Sequence, residues 1–332
     1  MKSIVRFWPV RGARGVLLVL GLLAIVAVLG GLARRGDRIG LLDEVRAASS
    51  ARTPLPTVPA LVETPLAMLP PLPVAQPGDS PARIVEVSVR SRALGRDMPA
   101  NLYLPRGYDN TQERYPVLYM LHGYGGGRGE WPYYGLFEAA TRLIDAGAIP
   151  PMIIVVPEGE LGYWMDHADN GPRYGTYLAD DVVSFIDAQY RTRPARGARA
   201  IGGLSMGADG AMDLAFHHPD EFAIVGVHSP MLRKKSEAHP FFGDQRYYDA
   251  HAPLSLVAAS GDAIRGAGFA LWLDTGVDDP WLPRTVELKA ALDRAAIPHQ
   301  WHQYDGDHGG AYWQAHMQEY LRFYGDAFRA AS

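Results

Sequence analysis

The run Gly203-Leu204-Ser205-Met206-Gly207 constrains this chain more than any other feature. A serine with a glycine two residues away on either side fits a sharp strand-to-helix turn. Its central residue takes a strained backbone that leaves no room for larger neighbours. The flanks suit such a turn. Arg199 to Leu204 (R-A-I-G-G-L) is a short apolar stretch of strand character, and Met206 to His217 reads as a helix closed by His218-Pro219. The turn lifts the Ser205 hydroxyl clear of the backbone and points the helix N-terminus at whatever that hydroxyl attacks. Ser205 is therefore a candidate nucleophile, and the backbone N–H of Met206 a candidate oxyanion donor.

The rest of the chain after residue 82 alternates strands and helices. Arg83 to Arg90 alternates apolar and polar residues like a half-buried edge strand, and Ala100 to Leu104 pairs with it across the turn at Gly95. Pro116 to Leu121 and Met152 to Val156 are short, wholly apolar runs, as expected of central parallel strands covered on both faces. Further strands are expected at Ala223 to Val227, Phe269 to Leu273 and Gln300 to Tyr304. Helices are expected at Tyr177 to Tyr190, Thr285 to Ala296 and Tyr312 to Phe328. This order predicts an α/β-hydrolase fold, a mainly parallel sheet with helices on both faces and its ligand at the C-terminal strand ends.

A serine hydroxyl needs an imidazole to take its proton and a carboxylate to orient that imidazole. In this fold the chain order is Ser, then acid, then His. His308 lies in the glycine-rich loop Asp305-Gly306-Asp307-His308-Gly309-Gly310 after the last strand, and is the candidate base. Asp279 stands three residues after Gly276, just past a strand end, and is the candidate acid, with Asp278 and Asp274 as rivals. The glycine-rich loop His122-Gly123-Tyr124-Gly125-Gly126-Gly127 follows an early strand, and the Tyr124 N–H is the candidate second oxyanion donor. Trp164 and His167 follow a strand end and are candidate substrate-lining residues, as is His228. The remaining histidines have ordinary readings: His217 and His218 close a helix, and His239, His251 and His299 lie in polar segments. No metal or organic cofactor is implied.

The N-terminus suggests a compartment. Residues 16–33 carry no charge and follow Lys2, Arg6, Arg11 and Arg14; as a helix they would rise roughly 27 Å, close to the thickness of a bilayer core. They read as a transmembrane signal anchor behind a basic segment at 1–15. A cleaved signal peptide, ending near Gly31-Leu32-Ala33, is the rival reading. Residues 34–81 form a linker, with nine prolines between Thr53 and Pro81 that exclude regular helix or inner strand. The catalytic domain then spans 82–332, outside the cytoplasm. Residues 1–52 hold nine Lys/Arg against three Asp/Glu, so the remainder is left with 23 against 33. A body that acidic argues against nucleic acid as a partner. The absence of cysteine excludes disulfides, thiolate metal sites and a cysteine nucleophile.

Four stretches carry a family resemblance: Y-P-V-L-Y-M-L-H-G-Y-G-G (115–126), R-A-I-G-G-L-S-M-G (199–207), H-P-D-E-F (218–222) and G-D-H-G-G-A-Y-W (306–313). Together they resemble the esterase D-like branch of the α/β-hydrolase superfamily. That branch includes feruloyl and acetylxylan esterases, S-formylglutathione hydrolases, trilactone esterases and mycolyltransferases. The resemblance implies Ser205 as nucleophile, His308 as base, Asp279 as acid, and Tyr124 and Met206 as oxyanion donors. It departs from the family at Ala208-Asp209, where a further small residue is usual. The expected function is a serine carboxylesterase acting on a small-molecule, glycan or lipid ester. The same residues are compatible with an acyltransferase using a sugar or lipid alcohol, and with a non-catalytic binding protein on this fold.

Overall fold

A computed structural model describes residues 80–331, Asp169 apart. The anchor, the basic segment and nearly all of the linker expected from the sequence lie outside the described residues. Among the described residues, no helix is long and apolar enough to cross a membrane.

One eight-stranded sheet runs in the order β1-β2-β4-β3-β5-β6-β7-β8. Strands β1 (Arg83–Ser91) and β2 (Arg96–Leu104) form an antiparallel hairpin, and β2 joins β4 (Ile153–Pro157) antiparallel. From β4 onward, β3 (Val117–Leu121), β5 (Arg199–Ser205), β6 (Ile224–Pro230), β7 (Ala270–Gly276) and β8 (Gln300–Tyr304) are all parallel. Every residue of β3, β4, β5 and β6 is buried, which explains the unbroken apolar runs of β3 and β4 in place of alternation.

Helices cover both faces. On one side lie α1 (Glu130–Tyr133) and α2 (Leu136–Asp145); α2 puts Leu136, Phe137, Ala139, Ala140 and Leu143 into the core. A π-helical turn, Tyr177–Val182, leads into α3 (Val183–Gln189) on the opposite face. Then come α4 (Met206–His217), α5 (Gln245–His251), α6 (Pro253–Ala267), α7 (Leu282–Arg294), α8 (Gly310–Ala315) and α9 (Met317–Ala330).

Two departures from the expected elements have clear causes. The C-terminal helix expected over Tyr312 to Phe328 is two helices broken at His316. The break lets Tyr312 and Tyr320 both reach Oδ1 of Asp274, at 2.8 and 3.1 Å. Helices α5 and α6 have no counterpart among the sequence expectations: α5 is only seven residues long, and Pro253, Gly261 and Gly266 interrupt the amphipathic period of α6.

Candidate active site

The site begins with the elbow. Ser205 sits between β5 and α4 at φ 54°, ψ −118°, a conformation that side chains rarely adopt. The two glycines make it possible. A Cβ on Gly203 would collide with the backbone of Gly207, and one on Gly207 would meet the carbonyl oxygens of Leu121 and His122. The helix N-terminus therefore packs directly against the loop after β3.

Ser205, His308 and Asp279 are brought together from three strand ends. Oγ of Ser205 donates to Nε2 of His308 at 2.8 Å, and Nδ1–H of His308 donates to Oδ2 of Asp279 at 2.8 Å. Asp279 is buried and His308 only partly so; Trp313 stands edge-on to the imidazole at 5.2 Å. Burial by itself would raise the Asp279 carboxyl, but hydrogen bonds from His308 and Ser229 and the Trp281 N–H hold it below its ordinary value. The arrangement can pass the serine proton to His308 while a carboxylate fixes the required tautomer.

The rival acids are placed differently: Asp274 is committed to other donors and Asp278 is exposed. Asp274 lies within β7, fully buried, and accepts from Trp272 Nε1, His228 Nδ1, Tyr312 OH and Tyr320 OH. The Asp278 N–H bonds to the Gly306 carbonyl, which helps close the loop that presents His308.

In the glycine-rich loop after β3, the N–H of Gly123 is taken by Oε2 of Glu130 at 2.7 Å. His122 is fully buried, with Nε2 accepting from the Gly159 N–H and Nδ1 near the Gly123 carbonyl. These bonds fix the loop and make Tyr124 the next N–H along it. Tyr124 exposes its ring at the rim, where it begins a stack of four rings. It lies 5.6 Å from His239; His239 is 5.1 Å from Phe241, and Phe241 is 3.9 Å from His167. His167 is half-buried, and burial lowers its pKa and that of His239.

Two substrate-lining expectations require correction. Trp164 is fully buried, donates from Nε1 to the His122 carbonyl and packs against Gly159 and Gly210, so its side chain is core. His228 is equally buried, with both ring nitrogens committed, Nδ1 to Asp274 and Nε2 to Tyr324. A strand-end position does not reveal that its side chain points beneath the sheet's rim. Conversely, Ser229 and Glu130 had no sequence signal. Ser229, at φ 53°, hydrogen-bonds Oδ2 of Asp279 and lies 3.3 Å from Nδ1 of His308.

Comparisons with known proteins agree with this architecture. Residues 91–324 match the sequence model of a family described as "Putative esterase", and the chain belongs to that family. It is 32% identical over 152 residues to an endo-1,4-beta-xylanase/feruloyl esterase of Xylanibacter ruminicola, covering 43% of this chain and 21% of that protein. It is 28% identical over 255 residues to an esterase of Mycobacterium tuberculosis, covering 66% of this chain and 54% of the relative. The chain thus spans between a fifth and about half the length of these curated relatives. Among solved structures, a ferulic acid esterase superposes with a TM-score of 0.68 at 26% identity, covering 74% of this chain and 99% of that one.

Proposed function

We propose that this protein is a serine carboxylesterase. The reading rests above all on one observation, the continuous hydrogen-bonded path Ser205–His308–Asp279 at the C-terminal edge of the sheet. Ser205 attacks the ester carbonyl as His308 takes its proton, and the N–H groups of Met206 and Tyr124 receive the oxyanion. His308 then gives the proton to the leaving alcohol, and water releases the acid by the same steps in reverse. Asp279 holds His308 in the tautomer that accepts at Nε2. The rim formed by Tyr124, His239 and His167 is where the substrate enters.

The apolar residues 16–33 and the proline-rich stretch after them support a tethered domain outside the cytoplasm. Membership in the esterase family and a relative named feruloyl esterase choose the first substrates to try. Incubation of the full-length chain with p-nitrophenyl acetate and a methyl ester of ferulic acid, beside its Ser205→Ala variant, tests the reading. Hydrolysis that disappears in the variant supports it. A folded wild type that reacts with neither ester nor a fluorophosphonate would sink it.

A further inference from the structure

A second cluster of ionisable side chains lies farther along the helix that carries Ser205. Asp213 and His217 are one turn apart on α4, and His251 closes α5 above them. Asp213 is buried, His251 mostly covered and His217 exposed. One donor atom from each lies within 4.8 Å of the other two. Nδ1 of His251 stands 3.0 Å from Oδ2 and 3.2 Å from Oδ1 of Asp213, and Nδ1 of His217 stands 3.1 Å from Oδ1. The two imidazoles face each other at 5.1 Å. Those separations exceed the 2.7 and 2.8 Å of the dedicated His–Asp hydrogen bonds at His228 and His308. They approach the roughly 3.3 Å between ligands placed about 2.0 Å from a tetrahedral zinc ion.

The surroundings supply a further argument. Asp213 and His251 line a cavity of about 30 Å³ together with Asp209, Arg233 and Arg284. That volume holds one or two water molecules and no organic ligand. Asp209 Oδ1 has no hydrogen-bond partner among the described residues, although protein encloses the carboxyl. Burial pushes the Asp209 carboxyl well above its ordinary value, so Asp213 is the anionic ligand facing the cavity. Two imidazoles, one carboxylate and room for water make the donor set of a borderline divalent metal.

We propose that Asp213, His217 and His251 bind a zinc-class divalent cation, with water from the cavity as a further ligand. The ion clips α4 to α5. In the metal-free protein, Nδ1 of His217 also lies 2.8 Å from the Asp213 carbonyl and donates to it. Binding selects the Nε2–H tautomer of His217, so that the Nδ1 lone pair turns from the carbonyl to the metal and the ring stays neutral. Asp213 follows Ser205 by two turns of helix, about 12 Å along its axis, so the ion takes no part in chemistry at the serine.

The test uses the untagged full-length chain, stripped with a chelator and dialysed. Isothermal titration with Zn²⁺ is run beside His217→Ala, His251→Ala and the double variant, with Ca²⁺ as a control. The expected result is one equivalent of Zn²⁺ and a metal-dependent rise in melting temperature. Each single variant should weaken binding at least tenfold, the double variant should abolish it, and Ca²⁺ should not bind. Melting of each variant without metal reports whether it folds. No saturable binding by the wild type, or equal binding by the double variant, would overturn the proposal in favour of a purely hydrogen-bonded His–Asp–His cluster. Hydrolysis of p-nitrophenyl acetate by the stripped wild type is an independent reading of the esterase.

Discussion

The hydroxyl of Ser229 donates to Oδ2 of Asp279, the same oxygen that accepts the Nδ1 proton of His308. The proposed triad therefore has a fourth group behind it, held in place by a left-handed backbone at φ 53°. A hydrogen bond to a charged partner contributes about 1.5–3 kcal/mol, so its loss should lower kcat by about 10- to 100-fold. Ser229→Ala is expected to do this with little change in KM. Ser229→Gly removes the hydroxyl but relaxes the backbone. Steady-state kinetics that find Gly as active as wild type would assign the position to conformation alone.

Asp279 and Asp274 are both buried carboxylates at the end of β7, yet they should respond differently to removal of their charge. Asp279 touches the imidazole of His308, so Asp279→Asn is expected to lower kcat by about 10³- to 10⁴-fold through the wrong tautomer, with stability little changed. Asp274 instead gathers four donors, and Asp274→Asn should destabilise the fold by about 3–5 kcal/mol. Urea denaturation and kinetics on the two variants separate these roles. Comparable kcat losses in both, at equal stability, would contradict the assignment.

Much of this architecture was legible because the signals are local. The glycines around Ser205 state their own reason, and wholly apolar runs of five residues announce buried parallel strands. Residue type and chain order then suffice to nominate His308 and Asp279. What stayed illegible depends on pairing over long separations. Ser229 meets Asp279 across 50 residues, and no feature of either neighbourhood encodes that contact. Glu130 reaches back seven residues to Gly123 only because α1 folds against the loop after β3. Trp164 and His228 were misread for the complementary reason. A position after a strand marks the functional edge of the sheet, but not whether the side chain faces the opening or the core.

Glu158, just after β4, gives the fold a pH dependence. Burial pushes its carboxyl upward, but the His122 imidazole beside it and hydrogen bonds from the Glu160 N–H and the Arg128 N–H outweigh this and bring it to about 2. A depressed pKa means the unfolded chain binds the proton more tightly. The stabilisation is then complete above the ordinary value of 4.5 and is lost as pH falls towards 2. Glu158→Gln is expected to cost about 2–3 kcal/mol at pH 7, with the gap closing between pH 4.5 and 2. Urea midpoints measured across that range check it, and a gap independent of pH would refute it.

Glycine at the elbow and glycine in a helix should give opposite signs. A Cβ on Gly203 would fall on the Gly207 backbone, 2.9 Å from its Cα even at that atom. Main chain in the first turn of α4, itself packed against the loop after β3, cannot yield as a side chain does. Gly203→Ala is therefore expected to cost about 3 kcal/mol or more, and to move Ser205 enough to remove hydrolysis. Gly266 lies in α6 with nothing within 4 Å of where its Cβ would stand. There alanine only restricts the unfolded chain and favours helix, so Gly266→Ala should stabilise by about 0.5–1 kcal/mol with activity unchanged. Thermal melts and p-nitrophenyl acetate assays on the pair decide the matter. Equal effects would mean that the close contact of Gly203 with Gly207 does not set the elbow.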